Sequence, residues 1–270
     1  MTDSFWRDPP WRGGKGGYRM GLRPIAPNEW LPERISAIEY DRKRKLLSDP
    51  SVGAFAAVDG SLRGQQSILE AVIRTVGPVE RECDAAAAPI VRGSLLVPDD
   101  LCLMEEVDGA YRLTAACVCA PSYWRLAEKI GRTLDGIHAP VPTLNDKLAT
   151  SMQQFFSRLP TDAVFERRNW LLHTNDALYQ PVADTWQAVT DEEVATLIVR
   201  SERQTLRRLD PSSIAFTIRV TCHQLGEIVS HREAARDLLD ALHGLDEAER
   251  DAKGFEYFAP AVTKFLSQIG

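Results

Sequence analysis

Five histidines hold most of the chemistry open to this chain, and their neighbours differ. His138 lies in Ile137-His138-Ala139-Pro140-Val141-Pro142, where each proline fixes its own φ and restricts the residue before it. The segment is therefore expected to be a rigid, non-helical loop. An imidazole presented by such a loop loses little entropy on binding a metal. Ile137, Val141 and Leu144 around it suit a macrocycle that needs burial on both faces. A buried histidine bonded to a backbone carbonyl is the plainer alternative, and the residues alone leave both open. No second histidine lies three or four residues away, which disfavours a helical zinc pair. A single axial histidine is compatible with haem, where the porphyrin supplies the other four nitrogens. His173 closes Asn169-Trp170-Leu171-Leu172-His173 and is either a satisfied core histidine or a pocket-facing one. His223 and His231 flank a helix start and His243 precedes Gly244, so exposed or capping roles suffice for them.

A polar cluster, Ser201-Glu202-Arg203-Gln204-Thr205-Leu206-Arg207-Arg208, closes the apolar run Ala195–Val199. On a strand, Glu202 and Gln204 share one face while Arg203 and Thr205 take the other. Arg219, on the next expected strand, could pair with this group or with an acidic ligand; a solvated strand end is the alternative. Other chemistries lack their signatures. No Gly-x-Ser-x-Gly elbow is present, nor a GxxxxGK[ST] loop or a strand-linked GxGxxG. The glycine run Gly13–Gly17 has no strand before it, and Lys15 is not followed by Ser or Thr. Cys83, Cys102, Cys117, Cys119 and Cys222 form no metal-type pair and no iron–sulfur spacing, so they read as reduced, buried thiols.

The elements that must position these residues follow an α+β order. Residues 1–34 are expected to form an extended arm, rich in Pro, Gly and Trp, lying against the body of the protein. Its Trp6–Trp11 stretch could instead cross a subunit surface. Helices are expected over 35–47 and 62–77, with a loop over 83–96. A hairpin over 101–119 turns at Asp108-Gly109. A short helix, Tyr123 to Ile130, and a longer one, Asn145 to about Leu159, precede strands at 164–173, 194–203 and 213–222. Two helices complete the tail. The domain reading is an arm (1–34), a PAS-like antiparallel sheet with flanking helices (35–225) and a C-terminal helical extension (226–270).

The 270 residues are 44% hydrophobic, enough for a sizeable core, and the net charge of −6 argues against a general nucleic-acid or anionic-membrane binder. The N-terminus lacks a signal-peptide pattern, so a cytoplasmic location is expected.

Six segments in order resemble the haem-dependent oxidative N-demethylase family. They are Tyr18–Pro24, Asp100–Met104, Pro121–Gly131, Ile137–Pro142, Arg168–Trp170 and Glu202–Leu209. The resemblance spans residues 18–220 and implies a PAS-type fold holding haem b. It also implies oxidation of a small secondary amine such as dimethylamine, using O2 and electrons that originate from NADPH. These would arrive through a separate flavin and iron–sulfur reductase. On the same grounds His138 becomes the iron ligand, and Glu202 the residue that meets the ammonium or relays protons. Gln204 becomes a distal polar contact, with Arg203 and Arg219 on the haem propionates. The segment 48–100 is shorter and richer in alanine than the family suggests, and the substrate does not carry over.

Three functional readings follow: a haem monooxygenase acting on a small amine, a haem-binding sensor or carrier, and a haem-free binding protein. Bound haem separates the third from the others, and oxygen-dependent turnover separates the first from the second.

Overall fold

The computed structural model describes residues 2–14, 20–77, 86–138, 151–161, 163–183 and 187–269. Seven antiparallel strands make one sheet: β1 (Arg23–Ile25), β2 (Phe55–Ala57), β3 (Asp100–Val107), β4 (Ala110–Cys117), β5 (Val164–His173), β6 (Ile198–Arg208) and β7 (Ser213–Gln224). Their spatial order is β1-β5-β6-β7-β3-β4-β2. The expected hairpin is β3–β4. Asp108 and Gly109 both take positive φ at its turn, 52° and 76°, which matches the twist of the flanking strands. The strand expected at 164–173 forms over those residues. That expected at 194–203 starts at Ile198, after a single 3-10 turn, and runs on to Arg208.

Alternation along the strands separates two faces. On one, Leu101, Leu103, Ala115, Cys117, Val164 and Ala215 pack against α3 (Leu62–Val76) and α4 (Pro89–Ser94). The helix α4 replaces part of the loop expected over 83–96. Further along this face, Trp170, Leu172 and Val199 form a second core with α7 (Arg232–His243) and α9 (Phe255–Ser267). With α8 (Glu247–Ala252) the tail holds three helices rather than two.

The amino-terminal segment joins that core. The helix α1 (Thr2–Arg7) and the turn after it bury Trp6 and Trp11. Trp11 Nε1 donates to the Ala234 carbonyl at 2.9 Å, and Trp6 Nε1 to Glu227 at 3.0 Å. The arm thus closes on the C-terminal helices of its own chain, in line with the expectation that it lies against the body of the protein. A Trp side chain buries enough apolar area to anchor a glycine-rich stretch without regular structure.

The opposite face carries Cys102, Met104, Tyr111, Leu113, Leu206 and Ile214. Two helices lie on it: α5 (Leu134–His138), through Leu134 and Ile137, and α6 (residues 151–158), through Phe156. Arg208 fastens α6 by donating to the Phe156 and Leu159 carbonyls, which a helix end leaves unsatisfied.

Candidate functional site

Glu202 lies midway along β6, on the sheet face that also carries α5 and α6. Its carboxylate accepts from Ser122 Oγ at 2.5 Å, Gln204 Nε2 at 2.8 Å and Asn169 Nδ2 at 3.3 Å. Behind Ser122 is Arg200, fully buried, whose Nε donates to Ser122 Oγ at 2.8 Å. Its remaining nitrogens hold the carbonyls of Ala120, Pro121, Ala177 and Leu178. This one guanidinium ties two loops to β6 and so fixes the hydroxyl that faces Glu202. Tyr123, next along, adopts φ 61°, a conformation that costs a non-glycine residue roughly a kcal/mol or more. Its ring stacks on His173 at 4.3 Å. The helix expected from Tyr123 to Ile130 is replaced by a 3-10 turn, Leu126–Glu128, because the left-handed Tyr123 cannot enter one.

His173 is fully buried and its Nδ1 lies 2.8 Å from Gln180 Oε1. Gln180 in turn is bonded through its backbone to Pro121 and Tyr123. One ring nitrogen of His173 is thus held by Gln180, and the residue lies on the Glu202 face of β5. His138 is the last residue of α5, so the segment expected to be non-helical from Ile137 is helical through His138. Residues 139–150, including the two prolines, lie outside the described residues. The packing of Ile137 and Leu134 puts this helix over the same sheet face as Glu202.

Arg203 and Arg219 are not brought to Glu202. They are register partners on the other face, where Arg203 Nε meets Glu166 at 2.5 Å and its remaining nitrogens take the Glu29 and Trp30 carbonyls. Arg219 pairs with Glu33 at 3.1 Å and Glu39 at 3.0 Å, which corrects its expected pairing with the polar cluster of β6. Burial alone would push the Glu166 carboxyl up, but Arg23, Arg203 and Arg168 together hold it below its ordinary value. Both arginines thus have structural partners in place.

Two residues unsuspected from sequence feel the charge of Glu202. Arg167 projects from β5 onto the Glu202 face, opposite Gln204. Burial lowers its pKa and the charge of Glu202 acts against that. Lys253, between α8 and α9, is buried and donates to the Trp170 carbonyl at 2.8 Å. Burial brings its amine down to about 8, with Glu202 pulling it back up. Alternation within the strand 164–173 would have aligned Arg167 with Asn169, but the register that brings them to Glu202 is not written locally.

The thiols behave as expected where they are described: Cys102, Cys117, Cys119 and Cys222 are free, and burial pushes Cys119 up to about 12. Cys83 lies outside the described residues. Among the described residues, no three His, Cys, Asp or Glu side chains gather to hold a metal ion, and no helix is long and apolar enough to cross a membrane.

A family model described as haem-dependent oxidative N-demethylase, alpha subunit-like, matches residues 62–263. The chain belongs to this family. The match leaves out Tyr18–Pro24 and reaches into α9, so family likeness extends past the region expected from the motifs, through most of the C-terminal helices. No curated protein matches the chain. Membership indicates haem dependence and an oxidoreductase. The Glu202 face is compatible with such a group. Ile218, Val220, Phe165 and Phe216 share it by register and give apolar surface, while Arg167 supplies a cation.

Proposed function

We propose that this chain carries out haem b-dependent oxidative N-demethylation of a small secondary amine of the dimethylamine type. One O2 and the two electrons and two protons supplied by NADPH and H+ would convert the amine to methylamine, formaldehyde and water. A separate flavin and iron–sulfur reductase would deliver the electrons. Bound haem, with its iron, would supply the centre at which O2 is reduced and the methyl group oxidised. The chain's residues would do the rest.

The observation that carries this reading is the braced carboxylate of Glu202. Three donors fix both of its oxygens on a half-apolar face, where a carboxylate attracts an ammonium more strongly than it would in water. Glu202 binds the amine nitrogen and can take up its proton; Ser122, Asn169 and Gln204 orient the carboxylate. His138 is assigned as iron ligand, and His173 supports the wall through Gln180 and Tyr123. The sequence of elements supports the PAS-like description: a hairpin, a helical segment, then three antiparallel strands whose last returns beside the first strand of the hairpin. Free buried thiols accord with a cytoplasmic location.

The test is the absorption spectrum of haem-reconstituted protein together with calorimetry of dimethylamine. A Soret band in wild type, lost or shifted in His138→Ala, is expected. Glu202→Gln should retain the band and bind dimethylamine roughly 10–100-fold more weakly. No band in wild type removes the haem reading. An unchanged band in His138→Ala moves the ligand, with His173 next in line, and unchanged amine affinity removes Glu202 from the site.

A further inference from the structure

Opposite charges share the Glu202 face without meeting. Asn169 stands opposite Glu202 and Arg167 opposite Gln204, so Arg167 and Glu202 are diagonal neighbours whose backbones lie roughly 7 Å apart. The carboxylate is taken by Ser122, Asn169 and Gln204. Arg167 makes no hydrogen bond and no ion pair among the described residues. Other arginines of the sheet differ: Arg200 and Arg208 hold backbone carbonyls, Arg203 holds Glu166, and Arg219 holds Glu33 and Glu39. Arg167 is half-buried on this face, beside a carboxylate whose oxygens are already taken. A guanidinium in that position keeps its donors open to an acceptor from outside the chain. A planar acid offering two oxygens matches the guanidinium fork, and β5 sets Arg167 on the face that carries Glu202.

We infer that Arg167 is the carboxylate-binding residue of this site, beside Glu202 as the ammonium-binding one. This rests on the reading that Glu202 meets an amine. The carboxylate has two possible sources. One is a propionate of the haem. The other is the substrate itself, which would then be an N-methylated amino acid whose ammonium meets Glu202 while its carboxylate meets Arg167. Diagonal neighbours on one face of a sheet suit the two ends of a small zwitterion.

The experiment compares full-length wild type, Arg167→Gln and Arg167→Lys, with thermal melting to establish folding. One arm titrates haem into haem-free protein and follows the Soret band. The other measures binding of N-methylglycine and dimethylamine to haem-loaded protein by calorimetry. Arg167→Gln should lose roughly tenfold or more in affinity for one carboxylate ligand, with dimethylamine affinity unchanged, and Arg167→Lys should lose less. Loss in the haem arm assigns the propionate; loss for N-methylglycine with haem uptake intact assigns the substrate. Unchanged affinity in both arms overturns the inference and leaves the amine reading standing. Absence of haem uptake in wild type overturns the haem reading instead, and N-methylglycine titrated into haem-free protein then decides Arg167 alone. Should Arg167→Gln not fold, Arg167→Lys carries the comparison.

Discussion

On the face covered by α3 and α4, Glu166 receives Arg23, Arg168 and Arg203, and Arg219 receives Glu33 and Glu39. On the opposite face, Glu202 is surrounded by neutral donors, and Arg167, one diagonal step away, stands apart from it. The two charge sets belong to the same strands, often to adjacent residues such as Glu202 and Arg203. Where opposite charges are paired, they hold the arm segment 23–39 to the sheet. Where they are kept separate, each retains capacity for a ligand. On the function proposed above, pairing would distinguish charges that serve the fold from charges that meet a ligand.

Glu166→Ala is the severest way to break this contrast. It leaves three guanidinium groups facing one another around a site where the carboxylate was buried, and should cost about 3–5 kcal/mol in chemical denaturation. Amine affinity of the folded fraction should stay at the wild-type level. A stability loss of that size in Glu202→Gln, or a loss of amine binding in Glu166→Ala, would erase the difference between the faces.

Asp99 sharpens it from the other side. It lies among Arg219, Lys43 and Arg203, yet its Oδ1 is buried without a hydrogen bond, and burial raises its pKa to about 6. A folded-state pKa above the unfolded one means a stabilising contribution present below about 4 and lost as the pH rises to about 6. Asp99→Asn should therefore gain on the order of 3 kcal/mol at pH 7, and should lose the wild-type decline between pH 4 and 6. Denaturation curves across that range check it; parallel pH profiles for the two proteins would contradict it.

The smallest effect belongs to Arg219→Gln. Its partner Glu33 is largely exposed, so the loss should stay under about 1 kcal/mol, and the Soret titration should not move. A weaker haem titration in this variant would return Arg219 to the ligand and place both faces in the site.

Much of the scaffold was legible in the chain. The Asp108-Gly109 turn, the strand 164–173, the helix α2 (Ala37–Leu47) and the apolar stripe of α3 follow from local rules, because their periods and breakers are written within a few residues. So was the separation of Glu202 and Gln204 from Arg203, since strand alternation dictates it. The missed helix at Tyr123–Ile130 has a tertiary cause: the segment's backbone is held by Gln180 and its hydroxyl by Arg200 and Glu202, residues 50 to 80 positions away. The ion pairs of Arg219 were hidden for a similar reason, because Glu33 precedes α2 and Glu39 lies within it, far along the chain.

What the sequence determined by itself was the strand character of β3 to β7, the face each side chain takes within them and the motifs that carry family membership. The tertiary structure decided the registers, β5 on β6 and β6 on β7, that set Asn169 and Arg167 beside Glu202 and Arg219 across from Arg203. It also decided that the arm closes on α7. The physical reason is that alternation has a period of two and fixes sides locally, whereas a slip of one residue between strands inverts every pairing. That choice is made only when the buried sets on both faces find their partners at once.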